Sequence, residues 1–243
     1  MKVTVNGFWG GFPAANGATS SYLISSKGFN LLVDCGSGAL SKLQTHTDVM
    51  DLDAVILSHY HFDHIADIGV LQYAVKVQNI VRETNKILPI YGHKEDMAGF
   101  RSLGHEDTEA RAYDPEQGLQ VGPFIIQFLK TIHPAPCYAM RISDGDATVV
   151  YTADTSYREE YISFSEDADL LITDSNFYDG MDGSGPGHMT STESAHIATS
   201  AHVKQLWLSH LPHFGNHDQL KMEAERIFAG KVTLAHEGLS WEA

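Results

Sequence analysis

Cysteine is scarce in this sequence: Cys35 and Cys137 are the two present among 243 residues. They build no disulfide framework, which agrees with a reducing compartment, so a cytoplasmic location is expected. No run of about 18 apolar residues occurs, and the opening MKVTVNGFWGG carries one Lys and no apolar core, so neither a membrane span nor a signal peptide is expected. Basic residues are also few, 16 Lys and Arg against 31 Asp and Glu, for a formal net charge of −15. They gather into no cluster. Such a surface repels a phosphate polyanion unless metal ions reverse the sign locally, and it lacks the basic tract that marks an electrostatic nucleic-acid footprint. Internal repeats and low-complexity linkers are absent as well.

What is plentiful is apolar material and histidine. Hydrophobic residues make up 43% of the chain, enough for a sizeable core and too many for general disorder. The length fits one domain over residues 1–243. KVTVNG, SYLISS and FNLLVD read as strands in an early antiparallel meander. After the Cys35-Gly36-Ser37-Gly38 turn come a short helix (39–46), the strand DAVILS (53–58) and a helix from Asp63 to Gln78 with Ile65, Ile68, Leu71 and Val75 on one face. ILPIYG (87–92) is a strand, and the polar stretch 94–112 is expected as helix plus loop, a candidate lid. Strands return in FIIQFLK (124–130), AMRIS (139–143), ATVVYTAD (147–154), LLITDS, QLWLSH and KVTLAH. Thr190-Ser191-Thr192-Glu193 has capping-box spacing, so a helix through Ala201 is expected after the glycine-rich loop DGMDGSGPGH. The class is α/β.

The fourteen histidines decide the chemistry. Directly after DAVILS stands Ser58-His59-Tyr60-His61-Phe62-Asp63-His64, with spacing H-x-H-x-D-H. In an extended segment residues i and i+2 project to one side, so His59 and His61 can converge on one metal ion. Asp63 and His64 follow where the chain turns into a helix and aim a carboxylate and an imidazole at a neighbouring point, suited to a second ion. One histidine alone would read as a solvated or core residue; three with an aspartate in six residues after a buried strand read as a metal site.

On those residues the sequence resembles the metallo-β-lactamase superfamily, which implies a four-layer αβ/βα sandwich whose strand-end loops hold two metals. The resemblance implies three further ligands: His133 in TIHPAPCY, Asp154 in VVYTADTS and His210 in LWLSHLP. It places His59, His61 and His133 on one ion and Asp63, His64 and His210 on the other, with Asp154 bridging. Zinc is the expected metal, although manganese or iron suits the same ligands. The name-giving β-lactam hydrolases use a Cys ligand or lack the bridging Asp, and here Asp154 fills that position. Cys35 and Cys137 read as small buried hydrophobes.

A second motif narrows the branch. Pro186-Gly187-His188-Met189-Thr190, twenty-two residues before His210 when counted from His188, is similar to the phosphodiesterase branch containing ribonuclease Z, as are VDCGSGAL and HPAPCYAMRI. A glycine-flanked His at a helix start is suited to meet a phosphate. The implied chemistry is hydrolysis by a metal-bridging hydroxide, with Asp63 orienting it and His188 stabilising charge or protonating the leaving alkoxide. Asp174 in LITDSNF could orient His188 or serve as a structural carboxylate. Only twenty residues, 134–153, separate His133 from Asp154, which leaves no room for the arm that grips transfer RNA in short bacterial ribonuclease Z. The expected partner is therefore a small phosphodiester or an RNA 3′ end, with a homodimer as the family's suggestion. A cyclic-nucleotide phosphodiesterase, a thioester or lactone hydrolase, and a metal-bound scaffold without turnover are the alternatives. His46, His93, His105, His196, His202 and His236 read as solvated or core residues, while His213 and His217 stand near enough to His210 to line a pocket.

Overall fold

The computed structural model describes residues 1–243, which divide into two compact units. The first comprises residues 1–114, 121–123 and 236–242, and the second 115–120, 124–235 and 243. No helix is long and apolar enough to cross a membrane.

The first unit opens with the expected meander: strands β1 (Lys2–Gly7), β2 (Ser21–Ser26) and β3 (Phe29–Val33) pair antiparallel in sequence order. A helix α1 (Ala39–Leu43) then leads to β4 (Ala54–Ile56), parallel to β3. The helix expected over 63–78 is two helices, α2 (Phe62–Ile65) and α3 (Ile68–Arg82). Asp67 breaks it, because its carboxylate accepts from the Leu40 backbone N–H at 3.0 Å while its own N–H bonds to the Cys35 carbonyl. Strand β5 (Leu88–Gly92), helix α4 (Met97–Ser102) and strand β6 (Thr108–Ala112) complete the run, with β5 parallel to both β4 and β6.

The loop expected up to residue 112 is therefore corrected: Thr108–Ala112 is the edge strand of the sheet. TEARA is largely exposed, so it carries none of the apolar alternation that betrays a half-buried strand. On the other edge the C-terminal strand Ser240–Glu242 pairs antiparallel with β1, giving seven strands. Ile68, Leu71 and Val75 of α3 and Ala39, Leu40 and Leu43 of α1 pack with Leu32, Val55 and Ile90 of the sheet. Each large aliphatic side chain so buried contributes about 1.5–3 kcal/mol.

The second unit repeats the plan. Strands β7 (Leu119–Val121), β8 (Phe124–Lys130), β9 (Tyr138–Ser143) and β10 (Thr148–Tyr151) precede helix α5 (Glu160–Phe164) and strand β11 (Leu170–Asp174). Helix α6 (Ser191–Ser200), strand β12 (Gln205–Ser209), helix α7 (His217–Glu225) and strand β13 (Lys231–Leu234) follow. The sheet runs β13-β12-β11-β10-β9-β8-β7, antiparallel from β8 to β10 and parallel from β10 to β13. Its parallel strands are apolar on both faces, as strands covered on both sides must be: Leu170, Leu171, Ile172, Leu206, Trp207 and Leu208 are all buried. The expected capping box is present, with Thr190 Oγ1 accepting from Glu193 N and Glu193 Oε2 from Thr190 N. Residues 134–153 are spent on β9, the turn at Asp144–Asp146 and β10, so no arm stands there.

Candidate metal centre

In the first unit the H-x-H-x-D-H segment leaves the C-terminal end of β4, a central parallel strand, where open α/β sheets place their ligands. His61 caps α2 in an extended conformation, so the chain is strand-like through His59 and His61 and helical from Phe62. The rings of His59 and His61 lie 4.7 Å apart, and those of His59 and His64 4.1 Å. Asp63 Oδ2 stands 3.6 Å from His64 Nε2 and accepts the Gly11 backbone N–H at 2.8 Å. The segment predicted from spacing alone is thus a compact cluster of three imidazoles and a carboxylate.

Asp34, fully buried at the end of β3, organises that cluster. Its Oδ1 accepts from Ser58 N at 2.8 Å, and its Oδ2 accepts from both Ser58 Oγ and His64 Nδ1 at 2.8 Å. The Ser58 hydroxyl has a single hydrogen, which goes to Asp34. The 3.0 Å contact between Ser58 Oγ and His59 Nδ1 must then run from the imidazole to the hydroxyl. Both His59 and His64 therefore carry their proton on Nδ1 and present Nε2 as a lone pair. That is the tautomer a metal-ligating imidazole needs, held by the oxygen that usually stands behind one.

The second unit follows the same rule at three strand ends. His133 Nδ1 donates to the Gly187 carbonyl at 3.1 Å, which leaves its Nε2 as a lone pair, 3.8 Å from Asp154 Oδ2. Asp154 follows β10 and is 2% exposed. His210 follows β12, with Nε2 3.3 Å from Asp154 Oδ2 and Nδ1 3.5 Å from Asp174 Oδ1. Asp174 ends β11 and binds His188 Nδ1 through Oδ2 at 2.7 Å. The same carboxylate accepts the Thr155 N–H at 3.1 Å and the Asn176 N–H at 3.3 Å, so it fills both the orienting and the structural role. Burial resists ionisation of Asp174, but the His188 and His210 imidazoles outweigh it and hold its carboxyl below the usual range. Burial also works against the His188 imidazolium, and the Asp174 charge and hydrogen bond override it to leave that group raised. The His188 ring stacks on His210 at 5.0 Å and meets His133 at 5.4 Å, so the ligating atoms of Asp174, His188 and His210 lie within 4.8 Å of one another.

The seven expected ligands thus follow strands of the two sheets, four in one unit, of which Asp63 and His64 lie in α2, and three in the other. The donor sets, imidazole Nε2 and carboxylate oxygen, fit first-row divalent metals. Spacing did not reveal the Asp34–Ser58 support, although Asp34 ends an apolar strand as Asp154 does. Two of the remaining histidines have other duties. His93, buried at the end of β5, accepts the Glu95 N–H at Nδ1 and its carbonyl takes the Tyr60 hydroxyl at 2.6 Å; His217 Nε2 holds the Pro212 carbonyl at 2.7 Å. Cys35 and Cys137 are buried free thiols, and burial, with the Asp67 and Asp34 charges, pushes the Cys35 thiol far above its ordinary value. It is no nucleophile.

A family model described as "Metallo-beta-lactamase superfamily" matches residues 14–231. The chain is 56% identical over 243 residues to "Probable metallo-hydrolase YhfI" of Bacillus subtilis (strain 168), covering all of both proteins. The crystal structure of that metallo-beta-lactamase fold protein superposes with a TM-score of 0.96, covering 100% of this chain and 99% of the other at 55% identity. Ribonuclease Z of Metallosphaera sedula is 25% identical over 288 residues, covering 94% of each chain. A crystal structure described as a new diphosphatase from the PhnP family has a TM-score of 0.79 at 19% identity, covering 100% of this chain and 97% of the other, a likeness of fold alone.

Proposed function

The chain belongs to the metallo-beta-lactamase superfamily as a metallo-hydrolase, and on that premise we propose that it is a binuclear metal-dependent phosphodiesterase acting on small or compact substrates. In this reading His59, His61 and His133 would hold one ion, Asp63, His64 and His210 the other, and the Asp154 carboxylate would serve as a further ligand. Divalent ions held there would supply Lewis-acid polarisation of a phosphoryl oxygen and a water ionised near neutral pH, its pKa falling from about 15.7 to about 7. Zinc is the ion we propose.

The observation that carries the reading is the His188–Asp174 pair. A carboxylate 2.7 Å from Nδ1 fixes the ring and leaves Nε2 to hold a proton or give it to a leaving alkoxide. An acid at that position serves an ester whose leaving oxygen needs a proton. Asp63, anchored by the Gly11 N–H, would orient the nucleophile in this reading. Residues 134–153 form a hairpin where a transfer-RNA arm would have to stand, and the net charge of −15 disfavours a long polyanion. A small phosphodiester or the 3′ end of an RNA suits both facts. A cytoplasmic location, favoured by the two free thiols, and a homodimer complete the proposal.

The test is a panel on metal-loaded protein: bis(p-nitrophenyl) phosphate, cyclic nucleotides, precursor transfer RNA, a thioester and a lactone. Phosphodiester turnover should lead, and His188→Ala should reduce it about 10²–10⁴-fold with metal content unchanged. Thioester or lactone turnover in its place, or intact phosphodiester turnover in His188→Ala, overturns the reading.

A further inference from the structure

Phe214 is 45% exposed, four residues after His210, on the segment that joins β12 to α7. A single exposed apolar ring is ordinary on a protein surface. What sets this one apart is how firmly it is held. The Tyr178 hydroxyl donates to the Phe214 carbonyl at 2.9 Å, and the two rings meet at 5.8 Å. Gly215 adopts φ +76°, and a Cβ there would collide with the Tyr178 phenol, so the turn that presents Phe214 needs glycine. Upstream, His217 Nε2 binds the Pro212 carbonyl at 2.7 Å. The segment is thus braced on both sides of a ring that it does not bury.

The ring also continues a series that begins at the candidate ligands. His210 stacks on His188 at 5.0 Å and 23°, and His188 stacks on Phe177 at 6.3 Å and 29°. Phe177 then meets Phe214 edge-on at 6.2 Å. From a ligand imidazole, through the proposed proton donor, the rings step outward to an exposed face. One ring is too small an area for a protein partner, whose interface would bury about 800 Å² per side. It matches a planar aromatic group, and such stacking is indifferent to the chain's negative charge.

We infer that Phe214, backed by Phe177 and Tyr178, is a stacking subsite for a planar aromatic group carried by the phosphate ester, and specifically for the base of a nucleotide ester. The inference rests on the phosphodiesterase reading and names its substrate class: esters with a base next to the scissile phosphate, in preference to purely aliphatic ones. Base stacking on an aromatic side chain tolerates any base, so the subsite selects for a base without selecting which.

The experiment compares adenosine 5′-monophosphate with ribose 5-phosphate, which differ by the base alone, in calorimetric titrations of the zinc-loaded full-length chain. The nucleotide should bind about 5- to 100-fold more tightly. Phe214→Ala should bring that ratio close to one, and Phe214→Trp should preserve it. A ratio near one in the wild type, or an unchanged ratio in Phe214→Ala, overturns the inference. Turnover of bis(p-nitrophenyl) phosphate is measured in parallel: its absence would sink the phosphodiesterase reading, whereas a base-dependent ratio that vanishes in Phe214→Ala would still uphold the subsite.

Discussion

Asp34→Asn changes one atom and should weaken metal binding by a route that the hydrogen bonds define. Asp34 accepts from three donors: Ser58 N, Ser58 Oγ and His64 Nδ1. An asparagine has one acceptor oxygen. If that oxygen faces Ser58 N, its NH₂ faces His64 Nδ1, and the imidazole can meet it only by moving its proton to Nε2. The same NH₂ meets Ser58 Oγ, whose hydrogen is then free to turn towards His59 Nδ1, 3.0 Å away, and reverse that imidazole too. Both Nε2 lone pairs would be lost. If the amide turns over, His64 is spared but the buried Ser58 N–H is left unsatisfied, at about 1–3 kcal/mol. Loss of such a supporting partner costs roughly 10- to 100-fold in metal affinity. Chelator-competition titration should therefore show both equivalents weakened by about that factor, and the ¹⁵N shifts of His59 and His64 should report the tautomer change. The metal-free protein should melt about 2–12 °C lower, since about 1 kcal/mol is worth roughly 2–4 °C in a chain of this size. Wild-type affinity for both equivalents in Asp34→Asn would refute the relay.

Gly36→Ala should disturb the centre from a position that bears no ligand. A Cβ there would collide with the Asp63 carbonyl and Thr19 Oγ1, so the α2 turn must shift; about 1–3 kcal/mol of lost stability in urea titrations and reduced metal content are expected. Stripping the metal with a chelator should abolish turnover and lower the melting temperature, with zinc, manganese or ferrous ion restoring both. Binding to the folded state alone stabilises by about 2.7 kcal/mol at a hundredfold excess over Kd, so an unchanged melting curve would show that no metal is held.

Much of this architecture is legible in the sequence because of where its apolar runs stop. DAVILS, ATVVY, LLIT and QLWLS read as strands since parallel strands are buried on both faces, and each gives way to His or Asp at its end. The capping box at Thr190 is legible because it is local. What stays hidden depends on partners distant in the chain. Strand β6 is exposed and defined by pairing with β5, and the C-terminal strand is defined by pairing with β1 across the whole chain. Asp34 acquires its role because β3 and β4 lie parallel with Val33 beside Ile56, which sets two strand ends side by side. Nothing in the twenty-three residues between Asp34 and Ser58 announces that. Asp174 could be found but not assigned, since a strand-end carboxylate becomes an orienting group only when an imidazole returns to it from fourteen residues away.

The backbone shows what that arrangement costs. Asp34, Ala153 and His210 all adopt left-handed conformations, at φ 55°, 51° and 52°, although none is glycine. Each stands within one residue of a strand-end group at the candidate centre or is that group. The conformation costs a non-glycine residue roughly 1–2 kcal/mol, and local bonds must offset it. At Asp34 the backbone N–H reaches the Ile56 carbonyl at 2.9 Å, and at His210 the carbonyl accepts from Asn176 Nδ2 at 2.8 Å. A glycine would relax the turn at either position but would delete the side chain that the turn exists to aim. Strain at these strand ends is therefore tied to the chemistry: the sheets supply rigid ends, and an abrupt reversal at each end turns a carboxylate or imidazole out of the strand direction and into the cluster of its own unit.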